Sequence, residues 1–414
     1  MKSEETLSTY HSGLKSDKKS ECMKAIGKEL LTMDRLDGCD IIDLKKEYKL
    51  VGTMWVFKLR RNHLNQVIEH KARLCAQGFT QTPGIDFNNT YALTGRLNSI
   101  RALIAHACIN KLDFHQIDIK SAFLNAPLNK KVYLSIPQGL SIDCCRYCLR
   151  LKKAIYGLKQ APLAWYTRLK LWLQSVGFMT CKLDLCVFHR KDPEHLWIYV
   201  QVDYFALFGK NLHIFKKEIH YKFDIKDMGP ADLLLGVKIN QQEESITLDQ
   251  HHFIKSLLDS YSMQDCKAES TPLVPNEHLV PATEDERNAF NSVQVNFRSA
   301  IGSINYLSTA THPDLSFAMS SLSQYLEKPG IQHWKAFLHV LRYLQGTWEV
   351  RLCYSQDGRP GLIAFSDADW GNCWVTRRST SGFLAQPHGC LIFWKTRKQP
   401  SVSISTAEAG YKSL

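Results

Sequence analysis

Two aspartates stand alone at the ends of apolar runs, where a carboxylate is available for chemistry. Asp118 follows the run HQI, and Asp203 lies within LWIYVQVDYFALF, which has the pattern of two apolar strands with a carboxylate at their tip. Carboxylate oxygens are the ligands that hard divalent cations prefer. Two acids on adjacent strand ends can hold metal ions on the attacking and leaving oxygens of a phosphate transfer. We predict such a site at Asp118 and Asp203; an ordinary strand-end aspartate is the alternative for Asp118.

The charge of the chain indicates the class of partner. The formal net charge is +12, with 52 basic against 40 acidic residues. This excess favours a polyanion such as nucleic acid, and a basic enzyme with a small substrate is the alternative. The 13 cysteines without regular spacing, and a polar N-terminal stretch that is no secretory signal, predict a reducing intracellular compartment. Cys145 and Cys148 have no second pair that would complete a zinc site, and no apolar run reaches the ~18 residues of a membrane span.

Apolar spacing predicts the elements that position the aspartates. A chain of 414 residues should form two or three domains. The polar tail 1–21 is predicted to be disordered, and 266–295, which carries three prolines, to be a linker. Helices are predicted within 22–48, 97–111, 161–177, 211–223, 298–327 and 331–347. Strands are predicted in hairpins turning near Asn62–Asn65 and at Asp192–Glu194, in HQIDI, in CLRLKKAIYGL, in LLLGVKINQQEESITLDQ, and from about residue 350 to SVSIS.

Nine further segments carry a family resemblance. They are HKARLCAQGFTQTPGIDF (70–87), HQIDIKSAFLNAPL (115–128), LKKAIYGLKQAPLAWY (151–166), KFDIKDMGPADLLLGVKI (222–239), FRSAIGSINYLSTATHPDLSFA (297–318), HWKAFLHVLRYLQGT (333–347), SDADW (366–370), RRSTSGF (377–383) and WKTRKQPSVSISTAEA (394–409). In this order and spacing, nearly everything from residue 22 on resembles the reverse transcriptase of copia-type LTR retrotransposons followed by the start of its RNase H domain.

The resemblance implies an α+β fold of the right-hand polymerase kind. Fingers and a ferredoxin-like β-α-β-β-α-β palm are expected over 22–245, a helical thumb or connection over 246–349, and a partial RNase H-like domain over 350–414. The implied activity is RNA-directed DNA polymerisation, in which a dNTP is added to a primer 3′-OH on a primed RNA or DNA template. Two Mg²⁺ (or Mn²⁺) ions are the implied cofactors, and a cytoplasmic virus-like particle or the nucleus is the implied location.

The family's site residues transfer to matching positions. Asp118 and Asp203 match metal ligands. Phe123 matches the aromatic gate that excludes a ribose 2′-OH by a clash, with a core phenylalanine as the alternative. Lys71 and Arg73 match cations that clamp the nucleotide phosphates, with a solvated basic strand as the alternative.

Backbone and flanking positions complete the implied substrate site. Backbone N–H groups of Lys120, Ser121 and Ala122 are expected to face the triphosphate. Lys159 and Gln160 are expected beside phosphate and the nucleotide sugar. A third group, Leu235 and Gly236, matches the hairpin that supports the primer end; structural packing is an equal alternative for Leu235.

The polymerase motif departs from the family at one position. The family's metal-binding hairpin reads YVDD, whereas here it reads QVDY, so that Tyr204 replaces the second aspartate. A phenol has a pKa of about 10 and is a poor magnesium ligand. Losing one carboxylate from a two-metal site is expected to cost ~4 kcal/mol in the transition state, about three decades in rate.

The RNase H part departs as well. Asp367 matches its first catalytic aspartate, but the family's STEAEY reads TAEAGY here, and Gly410 replaces the metal-binding glutamate. The sequence stops at Leu414, which predicts an incomplete domain with an uncovered apolar face formed by Phe365, Phe383, Ile392, Phe393 and Trp394. We therefore expect a degenerate fragment, impaired as a polymerase and inactive as an RNase H. The alternative is a non-catalytic, nucleic-acid-binding relic of a polyprotein.

Overall fold

The computed structural model describes residues 19–61, 67–90, 93–191 and 195–414, which form a mixed α/β fold with ten α-helices and several sheets. The predicted turns at Asn62–Asn65 and Asp192–Glu194 and most of the predicted tail lie outside the described residues. The helices are α1 Lys19–Arg35, α2 Leu97–Ile109, α3 Ala161–Ser175, α4 Leu212–Lys222, α5 His251–Ser260, α6 Glu284–Asn291, α7 Phe297–Ala310, α8 Ser316–Leu322, α9 Ile331–Thr347 and α10 Thr406–Tyr411.

The strands of the first half are β1 Cys39–Asp43, β2 Leu50–Val51, β3 Thr53–Arg61, β4 Val67–Ala76, β5 Asp113–Ile119, β6 Pro127–Leu134, β7 Tyr147–Lys153, β8 Met179–Thr180, β9 Val187–Arg190, β10 Leu196–Gln201 and β11 Tyr204–Gly209. The remaining strands are β12 Ile225–Pro230, β13 Leu233–Leu234, β14 Val237–Gln241, β15 Ser245–Asp249, β16 Leu352–Ser355, β17 Leu362–Ala368, β18 Thr380–Pro387 and β19 Phe393–Lys398. Strand hairpins predicted from the apolar pattern are confirmed for β3–β4, β6–β7, β9–β10 and β14–β15.

A six-stranded antiparallel sheet in the order β12-β5-β11-β10-β9-β8 forms the centre. Its core elements follow along the chain as β5, α3, β10, β11, α4 and β12, which is a β-α-β-β-α-β order. Successive side chains of a strand point to opposite faces. Ile117 and Phe205 accordingly pack into the core beneath α3 and α4, whereas Phe114 and Phe208 stack at 4.4 Å in the core beneath α2.

The first helix is shorter than predicted. It was expected within 22–48, but α1 ends at Arg35, and the segment 39–43 forms β1, which pairs with β7. The reason is local, because Asp37 takes a left-handed φ of 50° and the N–H of Gly38 donates to the carbonyl of Met33 at 2.8 Å. Such a turn satisfies a free carbonyl of the last helical turn and stops the helix.

The predicted linker 266–295 contains a helix, so that part of the prediction was wrong. The helix α6 begins with a capping box, in which the backbone N–H of Glu286 donates to Thr283 Oγ1 while its carboxylate accepts from the Thr283 N–H. Phe290 buries the helix in the core shared by α5, α7 and α9. None of the helices in the described ranges is both long and apolar enough to cross a membrane.

The segment 350–414 makes more contacts with the preceding part of the chain than the sequence predicted. β16 pairs with β15, so the separate three-stranded sheet begins only with β17, in the order β17-β18-β19. SVSIS was predicted as a strand but is irregular and leads into α10. Trp394, predicted to be uncovered, lies 3.8 Å from the guanidinium of Arg101 and donates to the carbonyl of Ser308 at 2.7 Å. Ile392 also packs against the core beneath α2, whereas Phe365 is 53% exposed.

Candidate metal and nucleotide site

The two predicted aspartates lie at one edge of the central sheet. β5 and β11 are antiparallel neighbours, and the residue opposite Asp118 is Tyr204. The backbone N–H of Ile119 donates to the carbonyl of Asp203 at 2.7 Å, which ties the tip of the β10–β11 hairpin to the end of β5. Both aspartates are half-buried. The sheet therefore brings Asp118 and Asp203 together on adjacent strand ends, as the apolar runs predicted.

The tip that carries Asp203 is a strained turn. Val202 has a φ of 58°, a left-handed conformation that β-branched residues rarely adopt. The indole N–H of Trp165, on α3, donates to the carbonyl of Val202 at 2.7 Å. This hydrogen bond helps to hold the turn, and strain that is held in place by its surroundings is common where a side chain must be aimed.

Tyr204 is a structural residue in this site. Its phenol donates to the carbonyl of Leu233 at 2.7 Å, and the amide of Gln116 donates to the same carbonyl at 2.8 Å. Burial, with Asp232 and Asp118 adding to it, raises the pKa of Tyr204 far above its ordinary value. The phenol therefore stays neutral, and its proton points at a backbone carbonyl.

The donor set fits one hard cation. Among the described residues, no group of three or more His, Cys, Asp or Glu side chains is placed to hold a metal ion. Mg²⁺ is commonly held by one or two carboxylates together with substrate phosphates. Asp118 and Asp203 suit that arrangement, and Tyr204 lies where the family resemblance implies a further carboxylate ligand.

A small cavity of about 30 Å³ collects the predicted nucleotide residues. Lys71, Arg73, Ser121 and Phe123 line it together with Tyr156. Phe123 is buried and meets the ring of Tyr156 edge-on at 4.8 Å, and the guanidinium of Arg73 lies 4.4 Å from the centre of the same ring. Four residues predicted from two separate motifs thus line one cavity.

Tyr156 and Glu29 line the same cavity, and sequence reasoning did not single them out. Burial raises the pKa of Tyr156 to about 12; Arg73 opposes the rise, and Asp203 and Asp118 add to it. The carboxylates and the nucleotide residues therefore share one electrostatic environment. Tyr156 lies in the motif LKKAIYGLKQAPLAWY, four residues before Gln160, and this position could have identified it from the sequence. Glu29 lies on α1, which carries no motif.

Gly157 explains how β4 reaches this wall. It has a φ of 88°, and a Cβ at this position would lie 2.0 Å from the carbonyl oxygen of Ala76. The N–H of Ala76 donates to the carbonyl of Tyr156 at 2.8 Å. Only glycine allows the end of β4 to approach Tyr156 this closely, so the hairpin that carries Arg73 depends on it.

The backbone after β5 fits the triphosphate prediction only in part. The N–H of Lys120 already donates to the carbonyl of Asp224 at 2.9 Å, and its ammonium forms an ion pair with the carboxylate of Asp224. The prediction that backbone N–H groups face the triphosphate therefore applies only to Ser121 and Ala122. Ser121 takes a left-handed φ of 50° and starts the 3₁₀ turn that carries the buried Ala122 and Phe123.

Gln160 and Lys159 lie apart from the small cavity. Gln160 accepts from Gln81 Nε2 at 3.1 Å and donates to the carbonyl of Asp86 at 3.2 Å. The backbone N–H of Lys159 donates to Gln81 Oε1 at 2.9 Å, and its ammonium lies over the ring of Phe87. Gln160 lines a second cavity of about 420 Å³ between these residues and α3. A direct contact with the nucleotide sugar stays a prediction.

The turn predicted to support a primer is held from two sides. Leu235 and Gly236 both take left-handed φ angles, 52° and 79°. The phenol of Tyr306, on α7, donates to the carbonyl of Leu235 at 2.7 Å, and a Cβ on Gly236 would lie 2.3 Å from that phenol oxygen. The phenol of Tyr204 donates to the carbonyl of Leu233, two residues before Leu235. The turn is therefore rigidly linked to both the central sheet and α7.

The aspartate predicted as the first of an RNase H site lies in a regular strand. Asp367 lies on β17 opposite Gly382 of β18. Gly410 lies in α10 and supplies no carboxylate, while Glu408 is committed to the helix start, where it accepts from the N–H of Ile404 and pairs with Lys412. Among the described residues, Asp367 belongs to no group of three or more His, Cys, Asp or Glu side chains that could hold a metal ion.

Comparisons with known proteins agree with the motifs. A family model described as reverse transcriptase (RNA-dependent DNA polymerase) matches residues 37–275, more than half of the chain. The retrovirus-related Pol polyprotein from transposon TNT 1-94 of Nicotiana tabacum is 32% identical over 410 residues, covering 96% of this chain and 31% of that polyprotein. Those from transposons RE2 and RE1 of Arabidopsis thaliana are 32% and 31% identical, each over 88% of this chain and 25% of the polyprotein.

The chain thus spans about a quarter to a third of the length of these relatives. The family model and the polyproteins agree with the family resemblance that the nine motifs indicated. This chain belongs to the reverse transcriptases of copia-type retrotransposons.

Proposed function

We propose that the chain is the polymerase part of a retrotransposon Pol protein, with a nucleotide site that is built but catalytically impaired. The central sheet is the palm, α1 with β3–β4 belongs to the fingers, α5 to α9 form the thumb or connection, and β17 to α10 are a partial RNase H-like domain. Substrates are dNTPs and a primed RNA or DNA template. Asp118 and Asp203 would hold Mg²⁺ or Mn²⁺, which supplies charge neutralisation for nucleotidyl transfer.

The observation that carries the proposal is the hydrogen bond of Tyr204. Asp118 faces Tyr204 across β5 and β11, where the family has a second aspartate on the hairpin. The phenol donates to the carbonyl of Leu233 instead of offering a charged oxygen. A neutral donor at this position supports the loss of one metal ligand, and the surrounding strands support the view that the rest of the site has kept its geometry.

Primer extension on a primed RNA template with Mg²⁺ tests the proposal. We expect wild-type protein near background and Tyr204→Asp faster by on the order of 10²–10³-fold, because a carboxylate is restored to the metal site. Adding Asp118→Asn to Tyr204→Asp should return extension to background. Tyr221→Asp is the matched control, since Tyr221 is 95% exposed and the charge change is the same. Robust wild-type extension that survives Asp118→Asn would refute the proposed site.

A second candidate function is binding of nucleic acid without catalysis. It is favoured by the net charge of +12 together with the phenol of Tyr204, whose proton is donated to the carbonyl of Leu233 so that the side chain offers no charged oxygen. Binding of an RNA–DNA duplex that weakens steeply between low and moderate salt, with no extension even by Tyr204→Asp, would favour this function. Salt-independent affinity would argue against it.

A further inference from the structure

The side chain of Cys373 lies among hydrogen-bond donors, in the loop between β17 and β18. The ammonium of Lys398, on β19, lies 2.9 Å from Sγ, and the hydroxyl of Thr376 donates to Sγ at 3.1 Å. The backbone N–H groups of Val375 and Thr376 also interact with the sulfur. A cation and several donors around one sulfur stabilise the thiolate over the thiol.

The charge state of Cys373 follows from this arrangement. Burial alone would raise the pKa of the thiol, but the hydrogen bonds from Lys398 and from Thr376 outweigh it and lower the pKa to about 7. In contrast, burial raises the pKa of other cysteines of the chain, which include Cys39, Cys75, Cys108, Cys148, Cys186, Cys266 and Cys390. A large share of Cys373 is therefore thiolate at neutral pH.

Small molecules have a route to the sulfur. Cys373 lines a cavity of about 390 Å³ between the loop, α8 and the segment 271–279. The other titratable groups on its walls are Glu277, His278, Asp314 and Tyr325, besides Lys398. The ring of His278 lies 4.5 Å from that of Trp374, so the segment and the loop meet along one side of the cavity. The volume is enough for a small reagent.

We propose that Cys373 is a modification site for small soft electrophiles, with hydroperoxides as the oxidising members of that class. The assignment rests on the Lys398 contact, the ring of donors and the open cavity, and it is independent of polymerase activity. With a hydroperoxide, the thiolate attacks one peroxide oxygen, so that an S–O bond forms as the O–O bond breaks. The sulfur is oxidised to a sulfenic acid, the peroxide is reduced, and the ammonium of Lys398 can protonate the leaving hydroxide or alkoxide.

The expected rate advantage follows from two opposing effects. At pH 7, a thiol with a pKa of about 7 is about half thiolate, whereas one with a pKa of about 9 is about 1% thiolate, a ~50-fold difference. The less basic thiolate is intrinsically weaker by about 6- to 10-fold over two pKa units. The net advantage is about fivefold to tenfold at pH 7, and it reverses above about pH 8.

Competitive alkylation of the folded, full-length protein tests the proposal. Substoichiometric iodoacetamide is added at pH 7, and peptide mass spectrometry gives the rate at each of the 13 cysteines. Cys373 should react about fivefold to tenfold faster than Cys144, Cys145 and Cys353, although those three are the exposed cysteines. A rate no higher than theirs would overturn the proposal.

Variants of one strand separate the Lys398 contact from simple exposure. Lys398→Met should slow alkylation of Cys373 about fivefold at pH 7 and leave it equal or faster at pH 9.5, whereas Lys395→Met, at an exposed lysine of the same strand, should change neither. Lys398→Arg keeps the positive charge and should therefore retain most of the rate at pH 7. A rate as low as that of Lys398→Met would mean that the loss comes from a loosened sheet rather than from the missing charge. With hydrogen peroxide followed by a dione that traps sulfenic acids, Cys373 should again be labelled first; no adduct there, or no effect of Lys398→Met, would contradict the assignment.

Discussion

The nucleotide half and the carboxylate half of the candidate site differ in how far their side chains match the predicted site. On the nucleotide side, Lys71, Arg73 and Phe123 meet around Tyr156 and line one cavity, so the side chains expected to touch a dNTP are together. On the carboxylate side, the strands are equally regular, but Tyr204 is bonded to the carbonyl of Leu233. Under the proposed function, the nucleotide half keeps the expected substrate-facing side chains, whereas the carboxylate half has a structural hydrogen bond where the family resemblance implies a charged ligand.

The difference teaches that regular geometry and chemical competence are separate properties. Tyr204 fits the sheet because its phenol finds a carbonyl, and a buried hydroxyl with a partner is not penalised. Nothing in the packing around Asp118 signals the loss of a ligand. If the proposed impairment is right, a site can keep its fold after a substitution that removes its reaction, provided that the new polar group is hydrogen-bonded.

Replacing Phe123 should give the largest effect on the nucleotide side. In the Tyr204→Asp background, Phe123→Val should reduce the preference for dNTP over the matching rNTP by about 10- to 100-fold, because a smaller side chain no longer clashes with a 2′-OH. Single-nucleotide extension with each substrate gives the ratio of kcat/KM values.

The matched control is Phe57→Val, because Phe57 is buried in the same core at 5% exposure, compared with 8% for Phe123. That variant should lower both rates together and leave the ratio unchanged. If Phe123→Val behaves like Phe57→Val, then Phe123 is only a core residue, and the nucleotide half loses its best-supported member.

Most elements that position this site could be predicted from the sequence. Apolar runs around Asp118 and Asp203 gave β5, β10 and β11, and apolar helical spacing gave α2, α3 and α4. The role of Tyr204 could not be predicted, because its partner, Leu233, lies in a strand of a different sheet, and only the packing of the two sheets brings them together. Glu29 was missed for the same reason, since α1 carries no motif.

Two wrong predictions, the linker 266–295 and the helix within 22–48, could have been avoided, because the sequence contained local signals that were given less weight than composition and apolar spacing. The capping box at Thr283 and Glu286 marks the start of α6, but the prolines and polar composition of 266–295 favoured a linker. Asp37 and Gly38 form a turn signal inside the apolar spacing of 22–48, and the spacing was followed past it. Capping and turn residues are therefore stronger evidence for where a helix begins or ends than composition over a long window.

Tyr204→Phe isolates the structural role of the carboxylate half. The variant removes only the hydroxyl, and the carbonyl of Leu233 keeps its bond from Gln116 at 2.8 Å. The free energy of unfolding should fall by about 0.5–1.5 kcal/mol, the usual net value of one hydrogen bond. Urea denaturation measures it, with Tyr221→Phe as an exposed control. Extension should stay at background, and a gain in activity would mean that the phenol blocks the site rather than leaving a ligand missing.

The smallest effect concerns Glu29, which faces the cations of the nucleotide half. Burial raises the pKa of Glu29 although the N–H of Leu74, Lys71 and Arg73 oppose the rise, so that the ionised carboxylate is held at a cost. As the pH rises from the unfolded pKa of about 4.3 to the higher folded pKa, the unfolded state loses its proton first, and stability falls. Wild-type protein should therefore lose stability over this window.

Glu29→Gln should remove that loss and leave Lys71 and Arg73 more available to phosphate. We expect the variant to exceed wild type in urea denaturation at pH 7, by less than about 1 kcal/mol, and the difference to shrink near pH 4.5. Glu47→Gln, at an exposed glutamate, should show neither trend. In the Tyr204→Asp background, KM for dNTP should fall by about threefold, because one repelling charge is gone. A KM that rises would instead make Glu29 a residue that positions Arg73, and the nucleotide half would then depend on this carboxylate as the carboxylate half depends on Asp118.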